Sequence, residues 1–389
     1  MTPPAYPRRS RLFTALAVLV LLYIFVCGIK LMGSGCKAMK SHPFVENLVK
    51  GADNPFIALL VGIVVTSVIQ SSSATTSIVV GLVATQVLTV RVAIPIIMGA
   101  NIGTTVTNVL VSMGYVMRKD EFQRATSGAV VHDLFNLLVV IILLPLELAF
   151  HVLEHAAGWL QTLLPEISTD GVAAAGEAAK KINVKAFDPL GPILKPLLDL
   201  VKSIVGEPTR PGWVAGITAI IGLVFVFFAL IMLVKVLRSM MLGRAETFIT
   251  KVLGKSGWMG VVIGLLVTAM VQSSSITTSV LVPMAAAGLV TVAQIFPITI
   301  GANIGTTVTA LIAATAAGGA GVTIALVHCL FNIAGLLLFY PIPVLRRIPV
   351  RLAQRVGAFA ANSRRLALVY VFAVFYGVPG LLIFIYRLF

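Results

Sequence analysis

One stretch of this chain is written twice. Gly62–Leu110 and Gly264–Ile312 align without a gap at a constant spacing of 202 residues, and about half of the aligned positions are identical. The spacing carries QSSSATTS at 70–77 onto QSSSITTS at 272–279, Pro95 onto Pro297, and GANIGTTVT at 99–107 onto the same run at 301–309. Further on, HDLFN at 132–136 returns as HCLFN at 328–332, with the spacing shortened to 196. Upstream, the apolar run ending near Met39 corresponds to the one ending near Met241. Each half therefore reads as one unit. It has a spanning helix, an amphipathic stretch, a QSSS hairpin, a proline- and glycine-broken helix carrying GANIGTT, and a span carrying H-x-L-F-N. Repeats with interrupted helices at matching places point to a secondary transporter and locate its binding site.

The composition places the repeats in lipid. Hydrophobic residues make up 58% of the chain and charged residues 11%, with a mean hydropathy of +1.03. Soluble domains are about 25% charged. Leu12–Leu31, Asn136–Phe150 with its upstream flank, Val214–Val234 and Leu366–Ile385 are apolar runs of the roughly 20-residue kind that crosses the hydrocarbon core as helix. The alternation of an outer-membrane barrel is absent. The expected fold is an all-α integral membrane protein with two inverted-topology repeats, each holding a re-entrant QSSS helical hairpin and a broken GANIGTT helix. Residues 1–146 form the first repeat, 147–212 an extracytoplasmic loop, 213–343 the second repeat, and 344–389 a cytoplasmic basic linker with a C-terminal helix.

The net charge of +15 reflects orientation and not a nucleic-acid partner, because the basic residues cluster between spans. With the N-terminus cytoplasmic, the inner segments hold Arg8, Arg9 and Arg11, then Arg118, Lys119 and Arg124, then Lys235 to Lys255, then Arg346 to Arg365. The opposing connection Ala313–Gly321 holds no Lys or Arg. The inverted arrangement of the second repeat is the one consistent with this balance. The start of the chain reads as an uncleaved first helix. Cys27, Cys36 and Cys329 show no metal-ligand spacing and read as packing residues.

The chemistry follows from what the repeated motifs contain and lack. Gln-Ser-Ser-Ser with Thr-Thr offers neutral oxygens for an alkali cation and hydroxyl donors for an oxyanion. A hairpin bend leaves backbone N–H groups unpaired where the second helix starts, an anion site assisted by the helix dipole. The glycine-broken segment is expected to offer unwound carbonyls to a cation. Gly264–Ile312 has no charged residue, and Gly62–Leu110 has only Arg91. A proton-driven carrier places ionisable groups along its pathway, so sodium is favoured. One QSSS alone would be explained by close helix packing; two gapless copies are not. His132, His328, Asn136 and Asn332 read as hydrogen-bonded packing residues. Asp133 has Cys329 as its counterpart and carries no symmetric role.

At QSSSATTSIVV (70–80), RVAIPIIMGANIGTTVTN (91–108), AVVHDLFN (129–136) and the second-half QSSSITTS and GANIGTTVT, the sequence resembles the type II sodium-dependent phosphate cotransporter family. The resemblance implies a sodium-coupled phosphate symporter working by alternating access, with the anion between two hairpin tips. Gln70, Ser71, Ser72, Ser73, Gln272, Ser273, Ser274 and Ser275 are then the phosphate candidates. The sodium candidates are Gln272, Ala302, Asn303, Thr306 and Thr309, with Thr75, Thr76, Asn101 and Thr104 in the first half. Arg118 stands closest to an aspartate that electrogenic relatives carry, which leaves the stoichiometry open. The expected partners are inorganic phosphate, sodium ions as co-substrate and the lipid bilayer. No organic cofactor, nucleic acid or catalytic residue is expected, and a homodimer stays open. A bacterial cytoplasmic membrane is the expected location. A carrier of sulfate or a small carboxylate, and a membrane sensor that does not transport, are the rival readings.

Overall fold

The computed structural model describes residues 11–39, 42, 53–163, 191–208, 212–252, 257–363, 369 and 372–388. Among these residues every regular element is helical. Six helices among the described residues are long and apolar enough to cross a membrane: Leu16–Ala38, Val90–Met113, Lys119–Phe150, Trp213–Leu233, Val292–Thr315 and Ala320–Phe339. The expected span Leu366–Ile385 lies partly outside the described residues, and Arg8, Arg9, Lys255, Arg364, Arg365 and residues 164–190 and 209–211 of the 147–212 segment lie outside them.

The first half contains α1 (Arg11–Ala38), α2 (Pro55–Ile69), α3 (Ser72–Ala84), α4 (Val90–Gly103), α5 (Val106–Met113), α6 (Lys119–Phe150) and α7 (Val152–Thr162). After α8 (Gly191–Val205), the second half contains α9 (Trp213–Val252), α10 (Gly257–Val271), α11 (Ser274–Ala286), α12 (Val292–Ala317), α13 (Ala320–Phe339) and α14 (Pro343–Asn362). A π-helical turn, Ala373–Gly377, leads into α15 (Val378–Leu388).

Glycine sets how closely the helices approach. A Cβ at Gly62 would fall 2.1 Å from Ile96 O, and one at Gly99 would fall 2.0 Å from Leu59 O, so α2 and α4 touch backbone to backbone. The second half repeats the contact between α10 and α12. There the distances are 2.0 Å from Gly264 to Ile298 O and 1.9 Å from Gly301 to Val261 O. The equivalent helices α1 and α9 are packed the same way, with Gly222 against Met32.

The halves are interleaved. Helix α3 packs on α12 and α13, while α11 packs on α5 and α6. Likewise α7 lies on α13 and α14 on α6. Each serine-led helix is therefore held by the opposite half. Phe135 of α6 contributes its ring to both Phe296 of α12 and Phe339 of α13, in edge-to-face contacts at 5.5 and 5.8 Å.

The glycine-broken segment departs from expectation. In the first half α4 ends at Gly103 and a tight turn at Thr104-Thr105 precedes α5, both residues remaining near helical angles. In the second half GANIGTT sits inside one continuous helix, α12. The side-chain bonds at this point differ as well. Thr105 Oγ1 lies 2.8 Å from His132 Nδ1 on α6, whereas its counterpart Thr307 donates back to Ile304 O at 2.7 Å within α12. Neither copy presents the unwound stretch of carbonyls expected from the glycines.

Candidate functional site: two serine-led helix tips

The last turn of α2 stops at Gln70, whose φ of 56° and ψ of 30° lie in the left-handed region. Gln272 does the same after α10, with φ 57°. Each glutamine N–H donates to the threonine carbonyl four residues back, Thr66 O and Thr268 O, both at 2.7 Å. A left-handed non-glycine residue costs about 1–3 kcal/mol. The same cost is met at both turns, which points to a use for the glutamine side chain. The next residue is extended and starts a new helix: Ser71 Oγ accepts from Ala74 N at 3.2 Å, and Ser273 Oγ from Ile276 N at 3.4 Å. These are N-caps. The N–H groups of the first turn of α3 and α11 have no intrahelical partner, and residues 66–77 and 268–279 include no charged side chain.

Threonine ties the two arms of each tip together. Thr66 Oγ1 donates to Thr75 Oγ1 at 3.0 Å, and Thr268 Oγ1 to Thr277 Oγ1 at 2.8 Å. Thr75 and Thr277 pass their own protons to Ser71 O and Ser273 O, at 3.1 and 3.2 Å. Sequence reasoning did not single out Thr66, Thr268 or Thr277 as partners, although the repeat contains all of them. Of the phosphate candidates, Ser72, Ser73 and Ser274 are buried, Ser71, Ser273 and Ser275 half-buried, and Gln70 exposed.

The glutamines diverge. Gln272 is buried, accepts from Thr309 Oγ1 at 2.6 Å and donates to Ala269 O at 2.6 Å. Gln70 has neither bond, and the counterpart hydroxyl, Thr107 Oγ1, is buried without a hydrogen-bond partner. The structure thus brings Gln272 and Thr309 together, and joins Thr306 to Ala302 O at 3.0 Å, as it joins Thr104 to Ala100 O. Thr76 Oγ1 is fully buried without a partner, whereas its counterpart Thr278 bonds Asn108. Asn108 also accepts from Ser279 Oγ at 3.0 Å. In the second half its place is taken by Ala310, and that mismatch was the only signal in the sequence.

Asn101 and Asn303 belong to a buried network between the halves. Asn303 Nδ2 donates to Asn136 Oδ1 at 2.8 Å, and Asn136 Nδ2 donates to Asn101 O at 3.2 Å. His328 Nε2 lies 3.4 Å from Asn101 Oδ1, and Asn332 Nδ2 donates to His328 O. Asn101 and Asn303 therefore bond to protein groups across the interface between halves. Arg91, the one charged residue of the repeated cores, is 65% exposed and pairs with Glu154 of α7 at 3.0 Å. It belongs to the surface and forms no clamp at a tip.

The six apolar helices and the paired, uncharged tips define an all-helical, multi-pass membrane protein. A family profile described as Na+/Pi-cotransporter matches residues 24–159 and 216–348, one stretch in each half. The chain belongs to that family. It is 31% identical to rat sodium-dependent phosphate transport protein 2A, over 96% of this chain and 67% of the relative. To human sodium-dependent phosphate transport protein 2B it is 33% identical, over 92% of this chain and 63% of the relative. The chain thus spans about two thirds of the length of these relatives, which are transport proteins and not enzymes. No solved structure matches it.

Proposed function

We propose that this chain is a sodium-coupled symporter of inorganic phosphate that holds the anion between its two serine-led tips. The observation that carries the proposal is the pair of left-handed turns at Gln70 and Gln272, each opening into a serine-capped helix with no charged side chain in the tip. Two helix N-termini and the serine hydroxyls supply donors to an oxyanion, and sodium supplies the neutralising charge. Ser71 and Ser273 accept from backbone N–H as caps, which leaves their hydroxyl protons available to the anion. Gln272, Thr309, Thr306 and Ala302 O form the oxygen-rich side suited to sodium, with Thr75, Thr76 and Thr104 its first-half equivalents.

The tips are read as re-entrant from opposite faces. Arg91, close after the first pair, contacts the 147–212 segment through Glu154, whereas Arg124, in the basic stretch, donates to Ala286 O at the end of α11 from Nε and Nη2 at 3.0 and 2.7 Å. The two pairs thus meet segments assigned to opposite sides by the charge balance. Access alternates as the tips move against the flanking spans, with the N-terminus cytoplasmic. Binding of labelled phosphate to the purified protein is expected with sodium present and absent in potassium. Sulfate that competes as well as unlabelled phosphate would replace phosphate with another oxyanion.

A further inference from the structure

Every α-helix ends with carbonyls that have no intrahelical partner. In α10 one of them, Ala269 O, is capped by Gln272, whose Nε2 donates at 2.6 Å. The equivalent carbonyl of α2 is Ser67 O, and there the donor is the hydroxyl of Tyr376, at 2.8 Å and 309 residues distant in sequence. The same task is performed by the tip's own glutamine in one half and by the C-terminal segment in the other. The consequence is visible in the side chains. Gln272 is buried with both ends of its carboxamide bonded, while Gln70 is exposed and bonds neither Ser67 O nor Thr107.

Tyr376 is set in place by a π-helical turn, Ala373–Gly377, whose Phe375 is fully buried. Inserting a π turn shifts the helix register by a residue, and such turns are frequent at functional sites. The turn and α15 both pack on α2. The C-terminal segment lies beyond both stretches matched by the family profile.

We propose that Tyr376 is a positioning residue for the first tip: by capping Ser67 O it keeps the Gln70 carboxamide away from that carbonyl and available to the transported anion. The inference rests on the reading of the tips as the phosphate site. It makes the tips unequal, with Gln70 a donor to phosphate and Gln272 committed to the Thr309 side.

The test uses the full chain in proteoliposomes, with labelled phosphate and a sodium gradient. Tyr376→Phe removes the hydroxyl and keeps the ring that packs on α2, so Gln70 turns back to cap Ser67 O as Gln272 caps Ala269 O. The KM for phosphate is expected to rise about tenfold or more, the scale of one hydrogen bond lost to a charged group, with kcat and the sodium dependence unchanged. In a Gln70→Ala background the same substitution is expected to add nothing to KM, because the two side chains act as a unit. An unchanged KM in Tyr376→Phe overturns the inference, as does an equal multiplication of KM in the Gln70→Ala background. A wild type that takes up no phosphate with sodium overturns the parent reading and this inference with it.

Discussion

Thr309 Oγ1 donates to Gln272 Oε1 across 2.6 Å, and the equivalent pair, Thr107 and Gln70, makes no such bond. The residues are the same in both halves, so the difference lies in what surrounds them. The second tip is closed onto its own half, and the first presents its glutamine outward.

If the closed tip is the sodium side, Thr309→Val removes an oxygen that sodium needs and frees Gln272 from its partner. The sodium concentration for half-maximal uptake is expected to rise about tenfold, within the range for a lost hydrogen bond to a charged group. Thr107→Val is expected to shift it far less. Uptake measured against sodium concentration in both variants checks the pair, and equal shifts would remove the distinction between the tips.

The serine hydroxyls should act on the anion and not on the fold. Ser72→Ala and Ser274→Ala are each expected to weaken phosphate binding by about 1.5–3 kcal/mol, with the detergent-solubilised protein still monodisperse. Both side chains are buried, so a loss of monodispersity without a loss of affinity would assign them to packing. Equilibrium binding and size exclusion on the same samples decide.

Helix approach depends on glycine at matched places. Gly99→Ala and Gly301→Ala would set a Cβ within 2.0 and 1.9 Å of Leu59 O and Val261 O. Overpacking of this kind costs about 1–3 kcal/mol, and the contact is with backbone, which yields less than a side chain. Gly158→Ala, in α7 with nothing within 4 Å of the new methyl, is expected to be neutral or stabilising by up to about 1 kcal/mol. Thermal unfolding in detergent orders the three variants.

Topology can be read from the connections that follow each pair. Gln86 and Leu289 are exposed in the equivalent connections α3–α4 and α11–α12. With Cys27, Cys36 and Cys329 replaced, a cysteine at position 86 is expected to react with an impermeant thiol reagent from outside, and one at 289 from the cytoplasm. Labelling of both from one face would refute the inverted arrangement. A cysteine at Ala74, by contrast, is a poor probe, since that residue is buried in the tip.

The tips themselves were legible in the sequence. The two QSSS copies marked the turns at Gln70 and Gln272, whereas the capping by Ser71 and Ser273 came only from the structure. The asymmetry was not legible, since Gln70 and Thr107 match Gln272 and Thr309 residue for residue. It arises from Tyr376, a long-range partner that no repeat pattern connects to Ser67. The glycines of GANIGTT suggested a break, yet Gly301 and Gly305 serve the close contact with α10, and α12 runs through them intact. Asn108 shows the middle case. Its mismatch with Ala310 could be seen in the alignment, but its bonds to Thr278 and Ser279, and the orphaned Thr76 hydroxyl opposite, follow only from packing.

Sodium-coupled phosphate transport is the central claim, and uptake into proteoliposomes tests it most directly. Purified protein should accumulate labelled phosphate when an inward sodium gradient is imposed, and should fail to do so in potassium or choline, even across an imposed pH gradient. The repeated cores themselves hold no ionisable group except the surface-paired Arg91, which is why sodium and not a proton is the expected coupling ion. Phosphate accumulation that proceeds without sodium and tracks the pH gradient would contradict the account.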